Sequence, residues 1–204
     1  MHSDILSSEQ KTLLSWAKQF KREFYLVGGT AISLYLGHRK SIDFDLFKLK
    51  PVVPNKCMKA VAESGFPYSV LFRDTDQIHF MVNGVKVTFF QYPYAIEAKQ
   101  DVDGVFRVPA LLDLAAMKAY ALGRRSKWKD YVDLYFLLKG HFTIEQISIR
   151  ATEIFGEMFS EKLFRAQLCY FDGVDYTEEV DWLIPNPPTD DEIRAGLVEI
   201  AAKL

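Results

Sequence analysis

The chain has 204 residues, of which 49% are apolar and 14% aromatic, a balance that excludes disorder and suits one domain or two small lobes. Lys and Arg total 25 against 27 Asp and Glu, so the chain as a whole is no polycation built to coat nucleic acid. No window approaches the roughly 20 apolar residues that span a bilayer, so no membrane association is expected. Met1-His2-Ser3-Asp4 lacks the basic start of a secretory leader, and the four histidines are scattered without zinc-ligand spacing. Cys57 and Cys169 form no CxxC pair and read as reduced thiols of a cytoplasmic protein.

The first helical pattern covers residues 8–21, where Leu13, Leu14, Trp16, Ala17 and Phe20 recur near helical spacing after a Ser-Ser-Glu start suited to capping. Residues 24–27 predict a short apolar strand, followed by Gly28-Gly29 and a helix over 30–36 that stops at Gly37. A strand over 42–49 ends at Pro51, and a helix over 54–64 is closed by Gly65 and Pro67. Strands are expected over 68–73, 77–82 and 85–91, the last two joined by Asn83-Gly84, a two-residue hairpin signal. From Pro109 the pattern turns helical, over 109–123, 127–139, 143–156 and 159–170. Asn186-Pro187-Pro188 then leads to a terminal helix opened by Thr189-Asp190. The expected division is an α/β lobe over 1–100 and a helical lobe over 101–204, with a cleft between them. The tail aromatics Phe164, Tyr170, Phe171, Tyr176 and Trp182 read as internal packing rather than a partner surface.

The chemistry concentrates between residues 28 and 45. Gly28 and Gly29 lack a Cβ, so backbone there can approach phosphate closely, and a following helix offers free N–H groups and a positive dipole end. Asp43 and Asp45 alternate with Ile42, Phe44 and Leu46, which predicts a half-buried strand with both carboxylates on its polar face. Two carboxylates so close repel unless a cation neutralises them, and hard divalent cations prefer carboxylate oxygen. Ser41, two residues earlier, can donate a hydrogen bond to a phosphate oxygen. A phosphate cradle beside a carboxylate pair is what nucleotide phosphoryl chemistry requires.

A second cluster lies on the predicted helices. Lys118 sits among Leu111, Leu114, Ala115 and Leu122, so it either snorkels or addresses an anion. Asp130 and Asp133 share a helix face three residues apart. The basic run Arg124, Arg125, Lys127 and Lys129 is either part of an ion-paired helix hairpin or a rim that attracts triphosphate or RNA, and the pattern favours the ion pairs.

Taken together, Gly-Gly-Thr-Ala, His38-Arg39-x-Ser-x-Asp-x-Asp-Leu-Phe, the distal Lys118 and the Arg/Lys-Asp-x-x-Asp-Leu-Tyr segment resemble the AbiEii/AbiGii toxin family of the nucleotidyltransferase superfamily. The likeness runs over residues 24–138, and the tail is similar to the family's C-terminal pattern. It implies an α/β (α+β) fold: a nucleotidyltransferase-like mixed sheet flanked by helices, with a C-terminal helical lobe. It also implies bacterial toxin–antitoxin biology and transfer of a nucleoside monophosphate from an NTP, dependent on Mg²⁺ or Mn²⁺. The implied acceptor is tRNA or another RNA, and the implied protein partner an antitoxin. By position, Gly28, Gly29, Thr30 and Ser41 would hold phosphates and Asp43 and Asp45 the metal. Lys118 would contact the triphosphate, with Asp133 and Asp130 completing the site.

The sequence departs from the superfamily at one point. A third carboxylate often stands on a later strand, and here the matching position is Thr88, which cannot act as a base at neutral pH. Asp74 and Asp76 lie in the preceding turn and are poor substitutes. Two other readings therefore stand beside the enzyme: a catalytically impaired nucleotide- or RNA-binding protein of the same fold, and a small-molecule nucleotidyltransferase of the antibiotic-modifying type.

Overall fold

The computed structural model describes residues 1–203. The chain divides into two units: one of Met1–Tyr35 and Lys40–Ala110, the other of Leu36–Arg39 and the chain from Leu111 onward.

The first unit opens with α1 (Ser8–Ala17), started by a capping box in which Ser7 and Gln10 exchange side-chain-to-backbone bonds. A turn of 3₁₀ helix follows, then β1 (Tyr25–Val27) runs directly into α2 (Gly28–Leu36). Next come β2 (Phe44–Lys48), α3 (Pro54–Ala62), β3 (Tyr68–Arg73), β4 (Gln77–Val82) and β5 (Val85–Gln91). The strands form a five-stranded mixed sheet in the order β1-β2-β5-β4-β3, with only β2 and β5 parallel. Asn83 and Gly84 both take positive φ, as a tight hairpin between β4 and β5 demands.

One face of the sheet is the core. Phe44, Leu46, Ile78, Phe80, Val87 and Phe89 are buried there. Phe89 lies at the centre of an aromatic cluster, with ring centroids 4.8 Å from Phe20, 5.2 Å from Phe24 and 6.1 Å from Phe80. α1 and α3 are tied together beside it by the Trp16 indole N–H, which donates to the Ala60 carbonyl at 3.0 Å. The free edge, β3, is exposed along its whole length and carries a register irregularity between Val70 and Phe72, the sort of bulge that blunts an open strand.

Two details depart from the sequence pattern. β2 begins at Phe44 rather than at residue 42, and Ile42 is 58% exposed instead of buried. The cause is local: β1 is three residues long and pairs only with Asp45, Leu46 and Phe47, while Thr30 holds residues 41–43 as a loop. Second, residues 100–108, left without structure by the apolar pattern, form a hairpin of β6 (Gln100–Val102) and β7 (Phe106–Val108). Its turn, Asp103-Gly104, has positive φ at both residues, the same chemistry as Asn83-Gly84. Phe106 of this hairpin packs against Phe44, ring centroids 5.1 Å apart.

The second unit is helical: α4 (Leu111–Leu122), α5 (Trp128–Gly140), α6 (Ile144–Phe155), α7 (Glu161–Leu168) and α8 (Asp190–Ala202). α6 and α8 begin with capping boxes, Thr143 with Gln146 and Thr189 with Glu192. The tail folds back on α5: the Tyr131 hydroxyl donates to the Tyr170 carbonyl at 2.8 Å, Trp128 faces Tyr176, and Phe136 faces Trp182. Phe164 is buried as well, so most of the tail aromatics are internal packing.

Truncating the centre of the aromatic cluster tests this account of the core. Phe89→Ala should lower unfolding free energy by about 3–5 kcal/mol, whereas Leu71→Ser on the exposed edge should change it by less than about 0.5 kcal/mol. Chemical denaturation of both variants measures the contrast.

Candidate active site

Gly28 joins β1 to α2 with φ +73°, a left-handed conformation that other residues rarely adopt. A Cβ built on it would collide with Oδ2 of Asp45. The backbone at the start of α2 is therefore packed directly against the Asp45 carboxylate, whose β2 position is paired with Val27. Thr30, buried in the first turn of α2, donates from Oγ1 to the Asp43 carbonyl at 2.5 Å and lies 3.0 Å from Ser41 Oγ. One threonine thus ties the start of the helix to the segment carrying Ser41 and Asp43.

Gly28, Gly29, Thr30, Ser41, Asp43 and Asp45 consequently meet within the first unit, around the joint between β1, α2 and β2. Asp43 and Asp45 flank the buried Phe44 and are both half-buried. No hydrogen bond or ion pair engages the Asp45 carboxylate among the described residues. A pair of carboxylates is the donor type that Mg²⁺ and Mn²⁺ take, so the residues fit such an ion. No group of three or more His, Cys, Asp or Glu side chains suited to a metal occurs among the described residues.

Thr88, where the family resemblance leads one to expect a third carboxylate, lies on β5. β2 and β5 run parallel with Asp45 opposite Thr88, so Thr88 is the immediate neighbour of Asp45 on the same face, and it is 7% exposed. Across β5, Thr88 pairs with His79 of β4. His79 carries no motif and escapes a search for ligand spacing. Its position follows from the Asn83-Gly84 turn, which fixes the hairpin register.

Lys118, Asp130 and Asp133 meet in the second unit as a buried charge network. The Lys118 ammonium lies 2.7 Å from Asp130 and 3.0 Å from Asp133, and all three side chains are at most 5% exposed. Asp133 also accepts from Arg39, whose Nε and Nη2 each donate at 2.8 Å, and lies 2.9 Å from His38 Nε2. Arg125 closes the outer side, bonding Asp130 at 2.8 and 3.1 Å. The main chain pins the same segment, since Leu183 N–H donates to the His38 carbonyl at 3.0 Å and Arg39 bridges to Trp182.

The electrostatics follow from this crowding. Burial by itself would raise the Asp133 carboxyl, but the charges of Arg39 and Lys118, with bonds from His38 and Arg39, hold it well below the usual carboxylate range. Asp130 is likewise lowered against its burial, by Lys118 and Arg125. Lys118 is raised against its own desolvation by the two aspartates. Asp130 and Asp133 together occupy two of the three N–H donors of the Lys118 ammonium. The rest of the basic run is also engaged: Lys127 and Lys129 pair with Glu178, and Arg124 stacks on Tyr120.

Comparisons with known proteins bear on the family and the fold. A family model described as the nucleotidyl transferase AbiEii toxin of type IV toxin–antitoxin systems matches residues 12–195. An uncharacterized protein of Aquifex aeolicus is 35% identical over 125 residues, a match that spans 58% of this chain and only 59% of that relative's length. JHP933 from Helicobacter pylori is similar in structure, with a TM-score of 0.62 at 18% identity over 96% of this chain and 91% of that one. MenT4, a nucleotidyltransferase toxin of Mycobacterium tuberculosis, gives a TM-score of 0.56 at 15% identity, covering 95% of this chain and 80% of that one. At such identities the two structures share the fold.

The buried network predicts a stability signature. Removing one partner from it, as in Asp133→Asn, should cost about 3–5 kcal/mol, because Arg39 loses its counter-charge, and Lys118 one of its two, without leaving the interior. Both aspartates have folded values below their unfolded ones, so their contribution is complete above about pH 4 and is lost as pH falls through the folded values. Denaturation midpoints from pH 7 down to pH 2 should show this acid loss in the parent and a shallower one in Asp133→Asn. Together, the motif around Gly28 and Asp45, the mixed sheet that carries it and a family match over most of the sequence establish that the chain belongs to the AbiEii nucleotidyl transferase toxin family.

Proposed function

We propose that this chain is a cytoplasmic toxin that transfers a nucleoside monophosphate from an NTP to the hydroxyl of an RNA acceptor such as tRNA, with an antitoxin protein as its partner. The observation that carries the reading is the packing of the Gly28 backbone against the Asp45 carboxylate at the start of a helix. It sets a helix start, a place suited to anions, against one carboxylate of the proposed pair, as reaction at a metal-bound triphosphate demands.

In this reading Asp43 and Asp45 hold a divalent ion, Mg²⁺ or Mn²⁺, which when bound supplies charge neutralisation at the triphosphate. Gly28 and Gly29 let phosphate oxygens approach the first N–H groups of α2, and Ser41 donates to another. The acceptor hydroxyl attacks the α-phosphorus in line, and pyrophosphate departs. Lys118, Asp130 and Asp133 contribute differently, since their charges are satisfied by one another and by Arg39. Their role is to fix His38 and Arg39, the residues just ahead of Ser41 and Asp43. No helix among the described residues is long and apolar enough to cross a membrane.

A second reading draws on Thr88, which stands beside Asp45 where a third carboxylate would act. It makes the chain a nucleotide- or RNA-binding protein with impaired catalysis, and predicts that Thr88→Asp creates or raises turnover.

Incubation with each α-³²P-labelled NTP, Mg²⁺ and total bacterial tRNA tests the enzyme. The parent should label RNA, and Asp45→Asn should abolish labelling while leaving the melting temperature nearly unchanged. Retained labelling together with a large loss of stability would show Asp45 to be a structural residue instead. Absence of transfer with Mg²⁺-dependent NTP binding intact would favour the binding protein or another acceptor.

A further inference from the structure

The strand pairings place Val27, Asp45, Thr88, His79 and Phe72 in one row across the sheet, each opposite the next. Residues paired in this way project from the same face. That face is not the aromatic core, which uses the alternate positions Leu46, Phe89, Ile78 and Phe80. Adjacent strands are about 4.8 Å apart, so His79 stands about 10 Å from Asp45 along the row. Asp45 and His79 are both half-buried, and the residue between them in the row, Thr88, carries only a short side chain.

Its surroundings prepare the His79 ring. Nε2 lies 2.9 Å from Gln77 Oε1, and since that oxygen can only accept, the ring proton belongs on Nε2 and Nδ1 keeps its lone pair. Phe72 packs on the ring with centroids 5.3 Å apart. Burial and the neighbouring Lys86 hold the imidazole below its ordinary value, with Asp45 opposing them, so the ring is neutral at physiological pH.

The geometry points to His79 as the general base of the transfer reaction, doing from β4 what a carboxylate at position 88 would do from β5. This inference rests on the nucleotidyltransferase reading and deepens it. The acceptor hydroxyl gives its proton to Nδ1 as its oxygen forms the new bond to the α-phosphorus. The bond from that phosphorus to the bridging oxygen breaks, and its electron pair leaves with pyrophosphate. Nε2 keeps its proton on Gln77 throughout, and the imidazolium returns the acquired proton to water. In this arrangement Thr88 relocates the base rather than removing it.

Kinetics of NTP transfer by the full chain test the assignment, with His79→Gln compared alone and combined with Thr88→Asp. His79→Gln should lower kcat by about 10²–10³-fold. The melting temperature of the metal-free protein and the affinity for NTP with Mg²⁺ should stay at parental values. Adding Thr88→Asp to His79→Gln should recover at least about tenfold, because a carboxylate is restored beside Asp45. The assignment is overturned if His79→Gln stays within threefold of the parent, if its kcat falls only in step with stability or NTP affinity, or if Thr88→Asp recovers nothing. A parent that binds NTP but transfers to no acceptor would remove the enzymatic reading itself, and His79's role with it.

Discussion

The contact on which the first unit's chemistry depends is that between Gly28 and Asp45. A backbone can lie against a carboxylate this closely only where the chain has no side chain and can take positive φ, and Gly28 meets both conditions. The close approach sets the start of α2 over the strand that carries the acid. The positive end of a helix lowers the cost of holding negative charge nearby. Thr30 extends the arrangement by binding the 41–43 loop to the same helical turn.

The second unit solves a different problem. Asp133 is fully buried, and an isolated carboxylate could not remain charged there. It is charged because Arg39, Lys118 and His38 surround it. The balance is strict, since Arg39 and Lys118 are buried too and each depends on the aspartates. Such a network contributes little net stability over an apolar cluster, but it is costly to break and exacting about geometry. What it holds, within the second unit, is the two residues after Gly37.

Much of the first unit could be read from local chemistry. The Asn83-Gly84 turn and its flanking alternation specify β4, β5 and their register, and that register alone pairs His79 with Thr88. Asp103-Gly104 carries the same turn chemistry, but its strands are three residues long, too short for an alternating pattern to stand out. β2 starts late because Thr30 of α2 holds residues 41–43 as a loop, a contact that no alternation of residue types announces. The motif residues from Gly28 to Asp45 are close in sequence, and their spacing carries the chemistry. The partners of Asp133 are not so readable: Arg39 lies 94 residues away, and neither charge pattern nor helical spacing relates them. Lys118 showed the limit of pattern most clearly. A lysine among apolar residues is compatible with anion binding or with burial, and only the packed helices reveal the two aspartates beside its amine.

The central claim is that the Gly28–Asp45 joint is where metal and triphosphate meet. A crystal structure of the chain soaked with Mn²⁺ and a non-hydrolysable NTP, with anomalous scattering to mark the ion, tests it most directly. The account predicts an anomalous peak coordinated by Asp43 and Asp45, with the triphosphate against Gly28 and Gly29. Mn²⁺ bound elsewhere, or a nucleotide seated away from α2, would contradict it.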